Sequence, residues 1–267
     1  MSFAEGYNLN LLKRQKSRFF IKMDRIEIRC GGGLGNRLSM IIGGLEIAKV
    51  RRLKPIITWL PSHSCFAKFF DLFDTSLEVK DKRENLPIVY CIPDIPEYLD
   101  LTRTIQNLLQ LRPKKEIIDN VSNFVSQNNI DSNIIGIHIR KTDFSEDIDE
   151  NFWINVIMSN PSKRFFICSD SQEVENKFAS FSNTIIFPKT EYVTKRFVDQ
   201  PWKMKNFSYK EKNISYKYNS SRSSRSVIEA LCDLLILSHT NIQDTSKYST
   251  FLHLAKYYQT ILDKVMN

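Results

Sequence analysis

Apolar and polar residues alternate along Arg25-Ile-Glu-Ile-Arg-Cys30 with the period of two that marks a strand. A glycine turn, Gly31-Gly-Gly-Leu-Gly35, ends that pattern. Beyond it Leu38, Ile41, Ile42, Leu45 and Ala48 recur on one side of a helix expected over Asn36–Arg51, and Pro55–Trp59 reads as the next short strand. Strand, glycine turn, helix and strand make a βαβ unit, the building block of parallel sheets. Residues 60–130 are less regular. The aromatic run Cys65–Phe73 is expected to be helical and Leu86–Cys91 a strand. Glu116–Gln127 reads as a helix with Ile117, Ile118, Val121 and Phe124 on its apolar face. The α/β rhythm then returns. Strands are expected at Ile134–Ile139, Arg164–Cys168 and Thr184–Phe187, and helices at Gln172–Phe178, Ser224–Ser238 and Thr250–Val265. The turn-rich segment Gln127–Asn133 falls where one α/β half gives way to another, and there is no internal repeat.

The 267 residues are enough for one large domain or two modest ones, each with its own core. Apolar and charged fractions are ordinary, which excludes a disordered or fibrous chain. A net charge of +8 favours anionic partners without choosing among nucleic acid, membrane surface and phosphorylated substrate. The five cysteines are odd in number and no pair has CxxC spacing, so a zinc site or disulfide framework is not expected. Cys168 and Cys232 sit in apolar runs and read as buried free thiols, which points to a reducing, cytoplasmic setting. No apolar run is long enough to span a bilayer, and the basic N-terminus lacks the apolar core of a signal peptide. Residues 1–22 are expected to be an extension outside the fold.

Four segments have residues suited to chemistry. The glycine turn places flexible backbone after a strand and at a helix N-terminus, where free N–H groups suit an anion. It matches neither GxGxxG nor the P-loop, so a plain tight turn is an equal reading. His138-Ile-Arg-Lys-Thr-Asp143 follows an apolar strand directly, at the end where α/β sheets bind ligands. By alternation His138 and Arg140 share one face of the sheet, opposite Ile137 and Ile139. An Arg–Lys pair there can grip a diphosphate; the alternative is a solvated strand end. Ser169-Asp170 ends the next strand, and Asp170 either accepts hydrogen bonds from a ligand or caps the helix at Gln172. Asp244-Thr-Ser-Lys-Tyr-Ser249-Thr250 lies between two helices, and its hydroxyls either face a phosphate or cap the second helix.

Together these segments resemble the fucosyltransferase superfamily with GT-B architecture, which spans the α1,2-, α1,6- and protein O-fucosyltransferases. Gly32-Gly-Leu-Gly-Asn-Arg37 is similar to their GG-x-GN-[QR] loop, and His138–Asp143 to their HxRRxD segment, with Lys141 where a second Arg is common. Phe165–Asp170 is similar to the strand ending in a Ser/Thr-Asp pair. Ala230–Ser238 and Asp244–Phe251 are similar to the D-L-x-x-L-S … S-S-x-S block. The resemblance implies an α/β, GT-B-like fold of two Rossmann-type domains with a cleft between them. The acceptor-side domain would cover 23–125 and the donor-binding domain 126–267. It implies an inverting, metal-independent transfer of a sugar, L-fucose by resemblance, from GDP-fucose to a glycan or protein hydroxyl, with no cofactor.

By position, Arg140 would contact the β-phosphate and stabilise the leaving diphosphate, with Asp143 orienting it. His138 would seat the nucleotide, and Ser169 and Asp170 would read guanine or its ribose. Asp244, Ser246, Ser249 and Thr250 would offer donors near the phosphates. Gly33, Gly35, Asn36 and Arg37 would line the cleft from the other side. The resemblance puts the general base in the acidic run after the HIRKTD segment, with Glu146, Asp147 and Asp149 as candidates; a solvated turn opening a helix at Asn151 is the alternative. Lys189–Arg225 interleaves cations with aromatics such as Tyr192, Trp202 and Tyr216, and Arg222 and Arg225 would add cations near the diphosphate. The same stretch also suits stacking on single-stranded nucleic acid, which leaves a nucleic-acid-binding protein as an alternative; a transferase for another nucleotide sugar is a further one.

Overall fold

The protein was studied as a computed structural model that describes residues 24–84, 86–89, 99–141, 149–195, 220–243, 245 and 249–266. The expected extension 1–22 lies outside the described residues, as do 142–148, 196–219, Asp244 and Ser246.

The chain opens with β1 (Arg25–Cys30), α1 (Leu34–Arg51) and β2 (Lys54–Trp59), then the single turn α2 (Phe69–Leu72) and the short strands β3 (Phe73–Asp74), β4 (Glu78–Lys80) and β5 (Ile88–Val89). Next come α3 (Leu101–Leu108), β6 (Arg112–Pro113) and α4 (Lys115–Gln127). A second series holds β7 (Ile135–Ile139), α5 (Glu150–Met158), β8 (Phe165–Ser169), α6 (Gln172–Ala179) and β9 (Thr184–Ile185). It ends with β10 (Thr194–Lys195), β11 (Ser220–Ser221), α7 (Ser224–Leu237), β12 (Asn241–Ile242), α8 (Thr250–Gln259) and α9 (Leu262–Val265).

Two four-stranded parallel sheets result, in the orders β4-β2-β1-β5 and β12-β7-β8-β9. In each sheet one strand marks the point where the order turns back. That strand is β1, with β2 on one side and β5 on the other, and β7, between β8 and β12. Loops leaving such a strand diverge to opposite sides of the sheet and open a crevice beyond its carboxyl end. Both crevices fall at segments singled out from sequence: the glycine turn follows β1 and His138–Arg140 closes β7.

The alternation of β7 and β8 sorts their side chains as the period of two demands. Ile137, Ile139, Phe165 and Ile167 join one buried cluster with Ile157, Val174 and Phe178. Phe166 and Cys168 face the other way, into the main core with Val227, Leu231, Leu234 and Leu235 of α7. Helix α4 packs against α7, and Phe124 meets Phe166 and Phe187 edge-on, with ring centroids 6.5 and 5.1 Å apart. Helix α8 packs against both α7 and α1, so the C-terminal part of the chain touches the first sheet's helix. Each Leu or Ile buried this way contributes about 1.5–3 kcal/mol.

Some elements differ from expectation. Only Phe69–Leu72 of the Cys65–Phe73 run is helical, because Ser62 and Cys65 exchange backbone hydrogen bonds in a tight bridge first. The last helix is broken after Gln259, where the Thr260 hydroxyl donates to the Tyr257 carbonyl and the β-branched Ile261 leaves helical geometry at φ −128°. Helix α3 was not anticipated; Asp100 caps it through the Arg103 N–H, and Asn107 donates to the Ile42 carbonyl of α1. Cys30, Cys65, Cys168 and Cys232 are buried free thiols, and Cys91 lies outside the described residues. Among the described residues no helix is long and apolar enough to cross a membrane.

Candidate functional site

The loop after β1 is built by Gly32 and Arg37. Gly32 takes a left-handed φ of +74°, and a Cβ there would stand 2.9 Å from the Asn36 side-chain nitrogen. Arg37 is 1% exposed. It donates to the Gly32 and Leu60 carbonyls and to the Ser62 hydroxyl, each at 2.9 Å, and lies over the Trp59 ring. Its guanidinium therefore holds the loop from beneath and does not line the cavity the loop faces. Gly33 precedes α1 with no side-chain cap, leaving the first-turn N–H groups of that helix for a ligand.

Across from this loop α8 begins. Ser249 caps it by accepting the Leu252 N–H at 3.3 Å and is 4% exposed, so the capping reading holds for Ser249. Thr250 donates to the Asn36 side-chain oxygen at 3.1 Å and joins the two sides of the site. Gly35 allows this approach, since a Cβ on it would meet the Thr250 hydroxyl at 2.8 Å. Asn36→Ala should cost about 0.5–1.5 kcal/mol, the usual worth of one such bond, seen as a lower urea midpoint.

At the ends of β7 and β8 the His138 ring stacks on Phe251, with centroids 4.5 Å apart, and the His138 carbonyl accepts the Thr245 hydroxyl. Asp170 does not cap α6. One of its oxygens accepts the Lys141 backbone N–H at 2.8 Å and the other lies 4.0 Å from the Arg222 guanidinium, so it ties the two strand ends together beside a cation. The Lys141 side chain is turned away from the cavity and bonds Glu150 of α5. Asp149 caps α5 by accepting the Asn151 N–H at 2.9 Å and does not line the cavity either.

These elements enclose a cavity of about 410 Å³, within the range of small-molecule sites. Of the residues singled out from sequence, Gly33, Gly35, Asn36, His138, Arg140, Ser169, Asp170 and Thr250 line it, and Arg222 joins them. Arg222 is held in place through its backbone, which exchanges hydrogen bonds with His63 and Phe66. Two helix N-termini and two guanidinium groups thus converge on one concavity, a strongly anion-attracting arrangement. Asp143, Glu146, Asp147, Asp244 and Ser246 lie outside the described residues. Among the described residues no group of three or more His, Cys, Asp or Glu side chains is placed to hold a metal ion.

Lys189, Glu191 and Tyr192 fell within the basic aromatic stretch and Asp233 within the Ala230–Ser238 block, but none was given a role of its own from sequence, and all four line the cavity. The Lys189 ammonium is bonded to Glu175, to Asp233 and to the Ser169 carbonyl. Glu229 accepts the Thr190 N–H and hydroxyl and the Glu191 N–H, which straps this loop to α7. One signal was available: an aspartate inside the apolar run Leu231–Ser238 is buried only with a partner.

No protein-family model and no curated protein matches the chain. Among solved structures it is similar to the NodZ alpha-1,6-fucosyltransferase soaked with GDP-fucose, with a TM-score of 0.56 and 12% identity over 88% of this chain and 92% of that one. It is also similar to NodZ alpha-1,6-fucosyltransferase co-crystallized with GDP, with a TM-score of 0.51 and 14% identity over 87% and 91% of the two chains. Fucosyltransferase NodZ from Bradyrhizobium aligns with a TM-score of 0.50 and 12% identity, over 87% and 92%. The likeness is one of fold: the chain is α/β and GT-B-like.

Proposed function

We propose that the protein is a glycosyltransferase that moves a sugar, L-fucose, from GDP-fucose to a hydroxyl of a glycan or protein, with inversion and without a metal. One observation carries this reading: the glycine loop after β1, the Arg140 strand end and the start of α8 meet at a single cavity. The fold likeness to a fucosyltransferase soaked with GDP-fucose supports the donor class.

In this reading Arg140 and Arg222, with the first N–H groups of α1 and α8, receive the diphosphate. As the bond from the sugar C1 to the diphosphate oxygen breaks, negative charge grows on that oxygen, and fixed cations stabilise it without reorganising. The guanidinium groups fill the electrostatic role that a metal ion has in other transferases. His138, held by its stack on Phe251, seats the nucleotide, and Asp170 accepts from the ribose. Asp233 offers the nucleobase an acceptor: its Oδ1 is buried without a hydrogen-bond partner among the described residues. The base that takes the acceptor hydroxyl's proton is assigned to Glu146 or Asp147, since Asp149 is engaged in capping α5. The N-terminal half, 23–125, is assigned to the acceptor and 126–267 to the donor.

Calorimetric titration with GDP, GDP-fucose and UDP, without added metal, tests the reading. GDP and GDP-fucose should bind and UDP should bind far more weakly. Equal affinity for UDP removes the guanosine assignment. Indifference to all three, with affinity for single-stranded nucleic acid that falls steeply with salt, replaces the transferase reading altogether.

A further inference from the structure

Lys189 and Asp233 line the cavity, and a second carboxylate, Glu175, is buried against the Lys189 ammonium outside that lining. Lys189 is 4% exposed at its side chain, and Glu175 and Asp233 only 2% and 6%. The Lys189 nitrogen donates to Asp233 Oδ2 at 2.7 Å and to the Ser169 carbonyl at 2.6 Å, and it also bonds Glu175. Glu175 is satisfied at both oxygens, since it also accepts the Ser169 N–H at 2.8 Å and the Tyr192 hydroxyl at 2.6 Å. Among the described residues Asp233 is satisfied at one oxygen only.

The cluster has one negative charge more than its single cation balances. Burial works against the Lys189 ammonium, but Asp233 and Glu175 outweigh it and its pKa rises, so it stays charged. Burial pushes the Asp233 carboxyl up to about 7, opposed by Lys189 and reinforced by Glu175 and Glu229. Glu175 is also raised by burial. Among the described residues the other groups around Asp233 are the Tyr192 hydroxyl, the Cys168 thiol of β8 and the Cys232 thiol of α7, all pushed up by burial and neutral, and Arg225, which pairs with Glu229.

We propose that Lys189 is a positioning residue for donor recognition: it anchors Asp233 by Oδ2 and keeps it a carboxylate, so that Oδ1 accepts the N–H edge of a guanine. The proposal rests on the reading of the cavity as a GDP-sugar site. A protonated Asp233 would present its own O–H, or a weaker acceptor, to N–H donors, so binding and deprotonation are linked. Affinity then falls about tenfold per pH unit below the Asp233 midpoint. The two neighbours act with opposite sign. Removing the Lys189 cation raises that midpoint, and removing the Glu175 charge lowers it while leaving Lys189 to Asp233 alone.

The test is GDP affinity by calorimetry between pH 5.5 and 8.5 for wild type, Lys189→Met and Glu175→Gln. In wild type, affinity should begin to fall near pH 7. The fall should start at higher pH in Lys189→Met and at lower pH in Glu175→Gln. If Lys189→Met does not fold, Glu175→Gln alone decides, because it relieves a buried repulsion instead of exposing one. Weakening by the same factor at every pH, with the midpoint unmoved, would mean that the cluster only supports the wall, and it overturns the proposal. Wild type that binds no GDP at any pH overturns the donor reading itself, and this inference with it.

Discussion

Arg140→Ala should lower turnover with GDP-fucose by about 100- to 1,000-fold, the usual loss when one fixed donor to a developing charge is removed. GDP affinity should fall by about 10- to 100-fold, the worth of a charge-assisted hydrogen bond of roughly 1.5–3 kcal/mol. The effect is expected to be one of site chemistry and not of folding. Arg140 lies one residue past the end of β7, lines the cavity and is only partly buried. It belongs to none of the buried apolar clusters, so the melting temperature should stay within a few degrees of wild type. Arg140→Lys separates charge from geometry: a point charge restores part of the affinity but not the fork that holds two phosphate oxygens at once. Arg222→Ala should cost less, because Asp170 already shares that guanidinium. Turnover that survives Arg140→Ala within threefold would remove Arg140 from the mechanism and shift the diphosphate towards Arg222.

Much of this site was legible because its residues belong to short local patterns. A glycine turn between a strand and a helix, and a polar cluster closing an apolar strand, are readable from neighbours in sequence. The order of the two sheets then brings those ends together. Arg37 was misplaced because sequence adjacency to Asn36 does not say which of two side chains turns inward; burial against Trp59 and three hydrogen bonds decided it. Asp170 read either as a ligand acceptor or as a helix cap, and the register of β7 on β8, which brings it to the Lys141 N–H, removes the cap. The cluster of Glu175, Lys189 and Asp233 left only one trace in the sequence, an aspartate set inside the apolar run Leu231–Ser238. Its members come from α6, a loop and α7, and each alone reads as a solvated charge or an isolated polar position. Only their meeting makes them a buried network, and such long-range pairings leave no local period.

The effect of Gly136→Ala should be the reverse of Arg140→Ala: a loss of fold first and of binding second. Gly136 is an isolated glycine within the apolar strand β7, a pattern that marks close approach of another element. A Cβ there would lie 1.9 Å from the Thr240 hydroxyl and 2.7 Å from a Leu237 methyl. Neither neighbour yields easily. Thr240 is fully buried and its hydroxyl donates to the Leu237 carbonyl at 2.7 Å, closing the turn by which α7 hands the chain to β12. The added methyl group must push α7 from β7 or distort that turn. Overpacking of this kind costs about 1–3 kcal/mol, and at this chain length each kcal/mol lowers the melting temperature by roughly 2–4 °C. Because β7 carries His138 and ends one residue before Arg140, its displacement should also weaken GDP binding. Thr240→Ala removes the nearest clashing atom, so the double variant should melt higher than the sum of the two single losses allows. Strict additivity would mean that the strain comes from Leu237 instead, and an unchanged melting temperature in Gly136→Ala would mean that β7 and α7 do not pack as closely as described.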